Sequence, residues 1–116
     1  MHEFSLVDSI LRIAVERAAA GGAKAITRVC LRVGPLSGAV PESLEFAFEA
    51  LRDENPLTAG ATLAIERTVI RCRCPSCQSE FTADVLRYAC PSCGEGRVDI
   101  VSGRELEVVS LEIETP

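Results

Sequence analysis

The chain has 116 residues and a formal net charge of −5, which allows one modest hydrophobic core or a small core plus a stapled module. The acidic balance argues against a phosphate-binding surface, which needs a basic face, and no stretch approaches the ~18 uncharged apolar residues of a membrane-spanning helix. Glu3 and Asp8 interrupt the only apolar stretch near the start, so no secretory signal is expected. The expected setting is cytoplasmic, where paired cysteines favour metal over disulfide.

From Phe4 to Ala20, apolar residues recur at helical spacing: Val7, Ile10, Leu11, Ala14 and Ala18 share a face, and Gly21-Gly22 ends the helix. Ile26–Val33 alternates, with Val29, Leu31 and Val33 on one side and Arg28, Cys30 and Arg32 on the other, which predicts a strand with one buried face. Gly34-Pro35 closes it. Pro41 suits the first turn of a second helix, in which Leu44, Ala47, Phe48 and Leu51 follow the helical stripe and Phe46 falls off it. Thr62–Ile70 predicts a second strand that runs straight into a cysteine-rich segment.

That segment carries Cys74-Pro-Ser-Cys77 and Cys90-Pro-Ser-Cys93, with twelve residues between the pairs. Two such knuckles on a folded-back hairpin supply the four thiolates of a tetrahedral zinc site, and residues of about 71–103 read as a zinc ribbon. Pro75 and Pro91 pre-set the turns, and Gly94 suits a left-handed backbone position. Four thiolates leave no open position for a catalytic water, so the zinc is expected to be structural. Cys72 would form a poorer Cys-x-Cys knuckle and is not expected to bind metal; Cys30 is expected to be a small packing residue. Within the ribbon, Arg71, Arg73, Arg87 and Arg97 balance Glu80, Asp84, Glu95 and Asp99, and the aromatics are only Phe81 and Tyr88. A zinc-ribbon nucleic-acid or transcription accessory module is the alternative reading, and this neutral ribbon with few stacking rings weighs against it.

Leu106 to Ile113 is strand-like again, but Leu106 and Val108 lie on one parity and Val109, Leu111 and Ile113 on the other; a β-bulge at Val108-Val109 restores a single apolar face. The chain thus leaves an α/β layer and returns to it. The expected fold is α+β: a three-stranded sheet with two helices formed by 1–70 with 104–116, and an inserted zinc-ribbon module at 71–103.

The start, Met1-His2-Glu3, holds the only histidine. The α-amine, the amide nitrogen of His2 and its imidazole form fused five- and six-membered chelate rings around one ion. Glu3, by amide or carboxylate, can complete a square. Such a nitrogen-rich plane suits Ni²⁺ or Cu²⁺ rather than Zn²⁺. An enzyme built on His2 and Glu3 fails on inventory, because there is no second histidine and no nucleophile–base pairing.

The Met-His-Glu-Phe-Ser-Leu start resembles the HypA/HybF nickel metallochaperones of hydrogenase maturation. So do Leu36-Ser37-Gly38, Pro41-Glu42-Ser43-Leu44, Phe46-Ala47-Phe48-Glu49, the two cysteine pairs and Ser102-Gly103-Arg104-Glu105-Leu106. The resemblance covers essentially the whole chain. It implies a non-enzymatic carrier with Ni²⁺ as transient cargo, His2 as central ligand with Glu3 beside it, and structural Zn²⁺ on Cys74, Cys77, Cys90 and Cys93; the α-amine of Met1 enters through the chelate rings above. It also implies delivery to a hydrogenase large-subunit precursor, a HypB-type GTPase as partner and, in some members, service to urease. An acidic residue from the loop before the second helix is a candidate extra donor in some relatives; this chain carries Val40-Pro41-Glu42 there, and that role is not carried over. No nucleic-acid or membrane partner is expected, and no motif separates a monomer from a homodimer.

Overall fold

The computed structural model describes residues 2–116 and contains two separate three-stranded sheets. The first carries helix α1 (His2–Ala20) and helix α2 (Pro41–Leu51), with strands β1 (Ala25–Val33), β2 (Thr62–Arg67) and β6 (Leu106–Glu114). Its order is β2-β1-β6, with β2 parallel and β6 antiparallel to the central β1. The β1-α2-β2 passage is the crossover that parallel pairing requires. The second sheet, β3 (Ile70–Arg73), β4 (Glu80–Ala83) and β5 (Asp99–Ser102), is wholly antiparallel in the order β4-β3-β5. It forms an excursion between β2 and β6.

The apolar stripes explain the first layer. Val7, Ile10, Leu11, Ala14 and Ala18 are the buried residues of α1, and Leu44, Ala47 and Phe48 those of α2. They meet Ile26, Val29, Leu31 and Val33 on one face of β1. The opposite face is solvated and laced by ion pairs: Arg32 reaches Glu66 at 3.0 Å and Glu107 at 2.9 Å, and Arg28 lies 3.6 Å from Glu112. Each is open to solvent, where screening leaves an ion pair little net stabilisation. Cys30 is half-buried on that face, between Ala64 and Ser110 in register. At the end of α2 the buried Thr58 hydroxyl donates to the Arg52 carbonyl at 2.7 Å, and Arg52 Nη1 donates to the Ala61 carbonyl at 2.8 Å, closing the connection into β2.

Two expectations are refined. The bulge lies where the phase shift placed it: Cys30 pairs with Ser110 and Leu31 with Val108, so Val109 is the extra residue. It does not bury the whole apolar face, however. Because β6 is an edge strand, only Leu106 and Leu111 pack on the core, while Val108, Val109 and Ile113 stay substantially exposed. The predicted strand Thr62–Ile70 breaks at Thr68-Val69, and Ile70 pairs in the second sheet. The cause is the crossing itself, where Thr68 N–H turns back to the Val33 carbonyl at 3.0 Å.

The two layers meet at a crowded point. A Cβ on Gly34 would overlap the carbonyl of Gly103 and lie 2.8 Å from Glu105 Oε1. Gly103 has φ +125°, and a Cβ there would press on the backbone of Ile70 at 3.1 Å. Gly34→Ala is therefore expected to destabilise the chain by about 1–3 kcal/mol, the usual cost of overpacking. Thermal unfolding should show a Tm lowered by several degrees; an unchanged Tm would mean that the junction yields without cost.

Candidate metal centre

The second sheet has a small core of its own: Ile70, Cys72, Cys74, Phe81 and Cys90, with Leu36, Ala83, Tyr88, Val98 and Ile100 packed around it. So few buried side chains supply little folding energy, which is the usual condition of a metal-stapled module. Two hairpin turns face each other across this core and are built alike. In the first, Cys74 N–H donates to the Ser79 carbonyl and Gln78 N–H to the Cys74 carbonyl, both at 2.8 Å. In the second, Cys90 N–H donates to the Glu95 carbonyl at 2.9 Å and Gly94 N–H to the Cys90 carbonyl at 2.8 Å. Gln78 and Gly94 occupy equivalent places and share the left-handed conformation, with φ of 66° and 78°. The glycine made the second position readable. Gln78 gives no such signal; its side chain is held instead by Arg73 at 2.7 Å and by a bond to the Pro75 carbonyl at 3.2 Å.

The turns bring Cys74, Cys77, Cys90 and Cys93 together, with all four sulfurs within 4.8 Å of one another. Cys74 and Cys93 sulfurs are 3.5 Å apart, and those of Cys77 and Cys90 3.6 Å. A disulfide needs about 2.05 Å. A tetrahedron with sulfur about 2.3 Å from a central ion has edges of about 3.8 Å. The four-sulfur cluster fits such an ion closely, with Cys74 and Cys90 buried and Cys77 and Cys93 exposed. Cys72 is excluded from the cluster and buried in the sheet core, where burial raises its thiol pKa.

Electrostatics at the cluster favour a cation. The Ser79 hydroxyl and backbone N–H bring Cys77 down to about 6, so one thiolate forms near neutrality. Cys93 is pulled down by the Glu95 backbone N–H, yet its contacts with Cys74, Cys90 and Cys77, together with burial, push it up to about 12. Crowded thiols resist joint ionisation, and a bound divalent ion removes that resistance. Glu95 ties the turns together: Ser76 Oγ donates to its carboxylate at 3.2 Å and Arg97 N–H at 3.0 Å, and the Ser76 contact runs from one knuckle to the other. Nothing in the cysteine spacing indicates this carboxylate; only the repeated Cys-Pro-Ser-Cys, which places Ser76 beside the facing turn, hints at it.

At the other end, α1 begins at His2, earlier than the predicted Phe4. His2 is exposed and Glu3 half-buried in the first turn; Met1 lies outside the described residues. Phe4 explains the early start. It is partly buried against the core and meets Phe46 edge-on, with ring centroids 6.0 Å apart at 80°. Phe46 is otherwise exposed, which accounts for its position off the α2 stripe. Backbone N–H groups in a first helical turn lack intrahelical partners, so the amides of His2 and Glu3 are free of the helix ladder. Glu42, in the first turn of α2, binds Arg67 at 2.8 Å, which lowers its carboxyl pKa.

Comparison with known proteins places the whole arrangement. Residues 1–113 match the family described as "Hydrogenase/urease nickel incorporation, metallochaperone, hypA". The hydrogenase maturation factor HypA of Geotalea uraniireducens is 42% identical over 114 residues, covering 98% of this chain and 100% of that protein. Its counterpart in Moorella thermoacetica is 43% identical over 108 residues, covering 93% and 95%. The solution structure of the Ni metallochaperone HypA from Helicobacter pylori aligns with TM-score 0.68 and 30% identity over 98% of each chain. A second HypA solution structure aligns with TM-score 0.75 and 31% identity, covering all of this chain and 98% of that one. A small α+β protein with a four-cysteine cluster is the class that the geometry defines, and the chain belongs to the HypA family. Its relatives are named as maturation factors rather than as enzymes.

Proposed function

We propose that this chain carries Ni²⁺ through Met1, His2 and Glu3 and delivers it during maturation of a [NiFe]-hydrogenase. The observation that carries the reading is membership, over nearly the full length, in a family described by nickel incorporation. An exposed histidine at the start of α1 supports it. Nickel is cargo here, and it binds and leaves without chemistry on a substrate. The positive end of the α1 dipole opposes a cation, so binding must be accompanied by loss of amide protons, which reverses the local charge. Four nitrogen or oxygen donors in a plane then suit Ni²⁺, and because copper binds such sites more tightly, supply by partners must set the metal.

Cys74, Cys77, Cys90 and Cys93 would hold a structural Zn²⁺, whose role is to fold residues 71–103; residues 1–70 with 104–116 form the nickel-carrying part. The recipient is a hydrogenase large-subunit precursor, with a HypB-type GTPase and, in a wider role, urease maturation proteins as partners, all in the cytoplasm. Metal content measured by mass spectrometry on the untagged chain, after separate zinc and nickel loading, tests the reading. One zinc per chain should co-purify and one nickel should add without displacing it; nickel that only exchanges with zinc on the cysteines contradicts it.

A pH dependence follows. The amine, the imidazole and an amide must lose protons to bind nickel, whereas the zinc thiolates are protected by their own metal. Nickel should leave on mild acidification while zinc stays. Nickel binding that is flat between about pH 5 and pH 8 would contradict amine and imidazole ligation.

A further inference from the structure

Two chain segments cross between the sheets: Thr68-Val69, leaving β2, and Gly103-Arg104, returning to β6. A third segment, Gly34–Leu36 after β1, touches both layers, because Leu36 packs on the core of the second sheet. Glu105 binds all three. Its Oε1 accepts the Thr68 hydroxyl at 2.7 Å and the Gly103 N–H at 3.0 Å, while Oε2 stands 3.2 Å from the same N–H. Its backbone carbonyl accepts the Gly34 N–H at 2.7 Å. Around it, Leu36 N–H donates to the Gly103 carbonyl at 2.8 Å and Ser102 Oγ to the Val69 carbonyl at 3.3 Å. The half-buried carboxylate is the side chain through which both crossing segments are cross-linked.

We propose that Glu105 is a positioning residue that fixes the four-cysteine sheet in one orientation relative to the helix-bearing sheet, so that the two move as a single elongated body. Without the carboxylate, one partly buried leucine and the hydrogen bonds of Gly34, Leu36 and Ser102 would be left to hold two short extended crossings. The apolar contact is small, and such short connections bend at low cost. A charge-assisted acceptor held by an O–H and an N–H from different segments removes that freedom. Gly34 then appears as a requirement of the same device, because a Cβ there would crowd the Glu105 carboxylate, while Gly103 lets its segment pass close to Ile70. The junction holds the two sheets together whichever metal His2 carries. On the carrier reading, a partner gripping the ribbon is therefore also oriented toward the His2 end.

Residual dipolar couplings on the zinc-loaded chain test it. In the native protein and in Glu105→Gln, whose amide oxygen keeps the acceptor, one alignment tensor should fit both sheets. In Glu105→Ala the shared tensor should be lost, with zinc content and the chemical shifts of each core unchanged. Separate tensors in the native protein, a shared tensor retained in the alanine variant, or equal loss in both variants would overturn the proposal. Should alanine cost either sheet its fold, Thr68→Val repeats the test with the carboxylate in place. It is expected to weaken the shared alignment, and an unchanged tensor there would also overturn the proposal.

Discussion

Cys77→Ala is expected to lose the zinc and to unfold residues 70–102 while leaving α1, α2 and their sheet intact. Structural zinc of this kind contributes about 10–16 kcal/mol at neutral pH, comparable to or larger than the whole stability of a small domain. The second sheet cannot replace that from its own core, in which two of the five buried residues are themselves members of the four-sulfur cluster. Removing Cys77 also removes the thiol that Ser79 prepares for ionisation near neutrality, leaving three crowded thiols whose joint ionisation is opposed. Zinc per chain should fall from one toward zero, and amide protection should disappear from β3, β4 and β5 while persisting in β1. Cys72→Ala, by contrast, should keep its zinc, because that thiol lies outside the cluster. Full zinc retention in Cys77→Ala would refute the four-thiolate assignment.

The cluster was legible in the sequence because metal geometry acts through spacing: two Cys-x₂-Cys pairs admit few other uses. The helices were legible for a similar reason, since Val7, Ile10, Leu11, Ala14 and Ala18 recur at the period that buries one face. Even the bulge at Val109 appeared as a change of parity. Parity cannot tell which strand lies at an edge, and so it could not foresee that Val108 and Ile113 face solvent. The break after Arg67 was hidden because Thr68, Val69 and Ile70 all favour extended backbone; what separates them is tertiary, the hydrogen bonds of Thr68 to Val33 and Glu105. Composition and parity do not separate Glu105 from the acids of β6, Glu107, Glu112 and Glu114. The Glu105 pKa is lowered, first by the Thr68 hydroxyl and then by backbone N–H groups, and that environment exists only once the segments cross. Phe4 likewise gave no sign that it would extend α1 back to His2, because the partner that holds it, Phe46, lies on another helix.

The largest functional effect is expected at the N-terminus. His2→Ala should abolish tight nickel binding in the zinc-loaded chain, since no other histidine is present to substitute and the four cysteines are the proposed zinc ligands. The change is expected to leave the fold intact, because His2 is exposed and Phe4, not His2, anchors the first turn of α1. Circular dichroism and zinc content should therefore match the native chain, separating loss of a ligand from loss of structure.

The most direct test of nickel carriage at the chain start is a nickel titration, with absorption spectroscopy, of the untagged zinc-loaded chain against the same chain extended by Gly-Ser before Met1. Extension converts the α-amine to an amide and removes the five-membered chelate without altering any side chain. Tight, square-planar nickel is expected in the untagged chain only, with one zinc per chain in both. Unchanged nickel affinity and geometry in the extended chain would contradict nickel carriage through the α-amine.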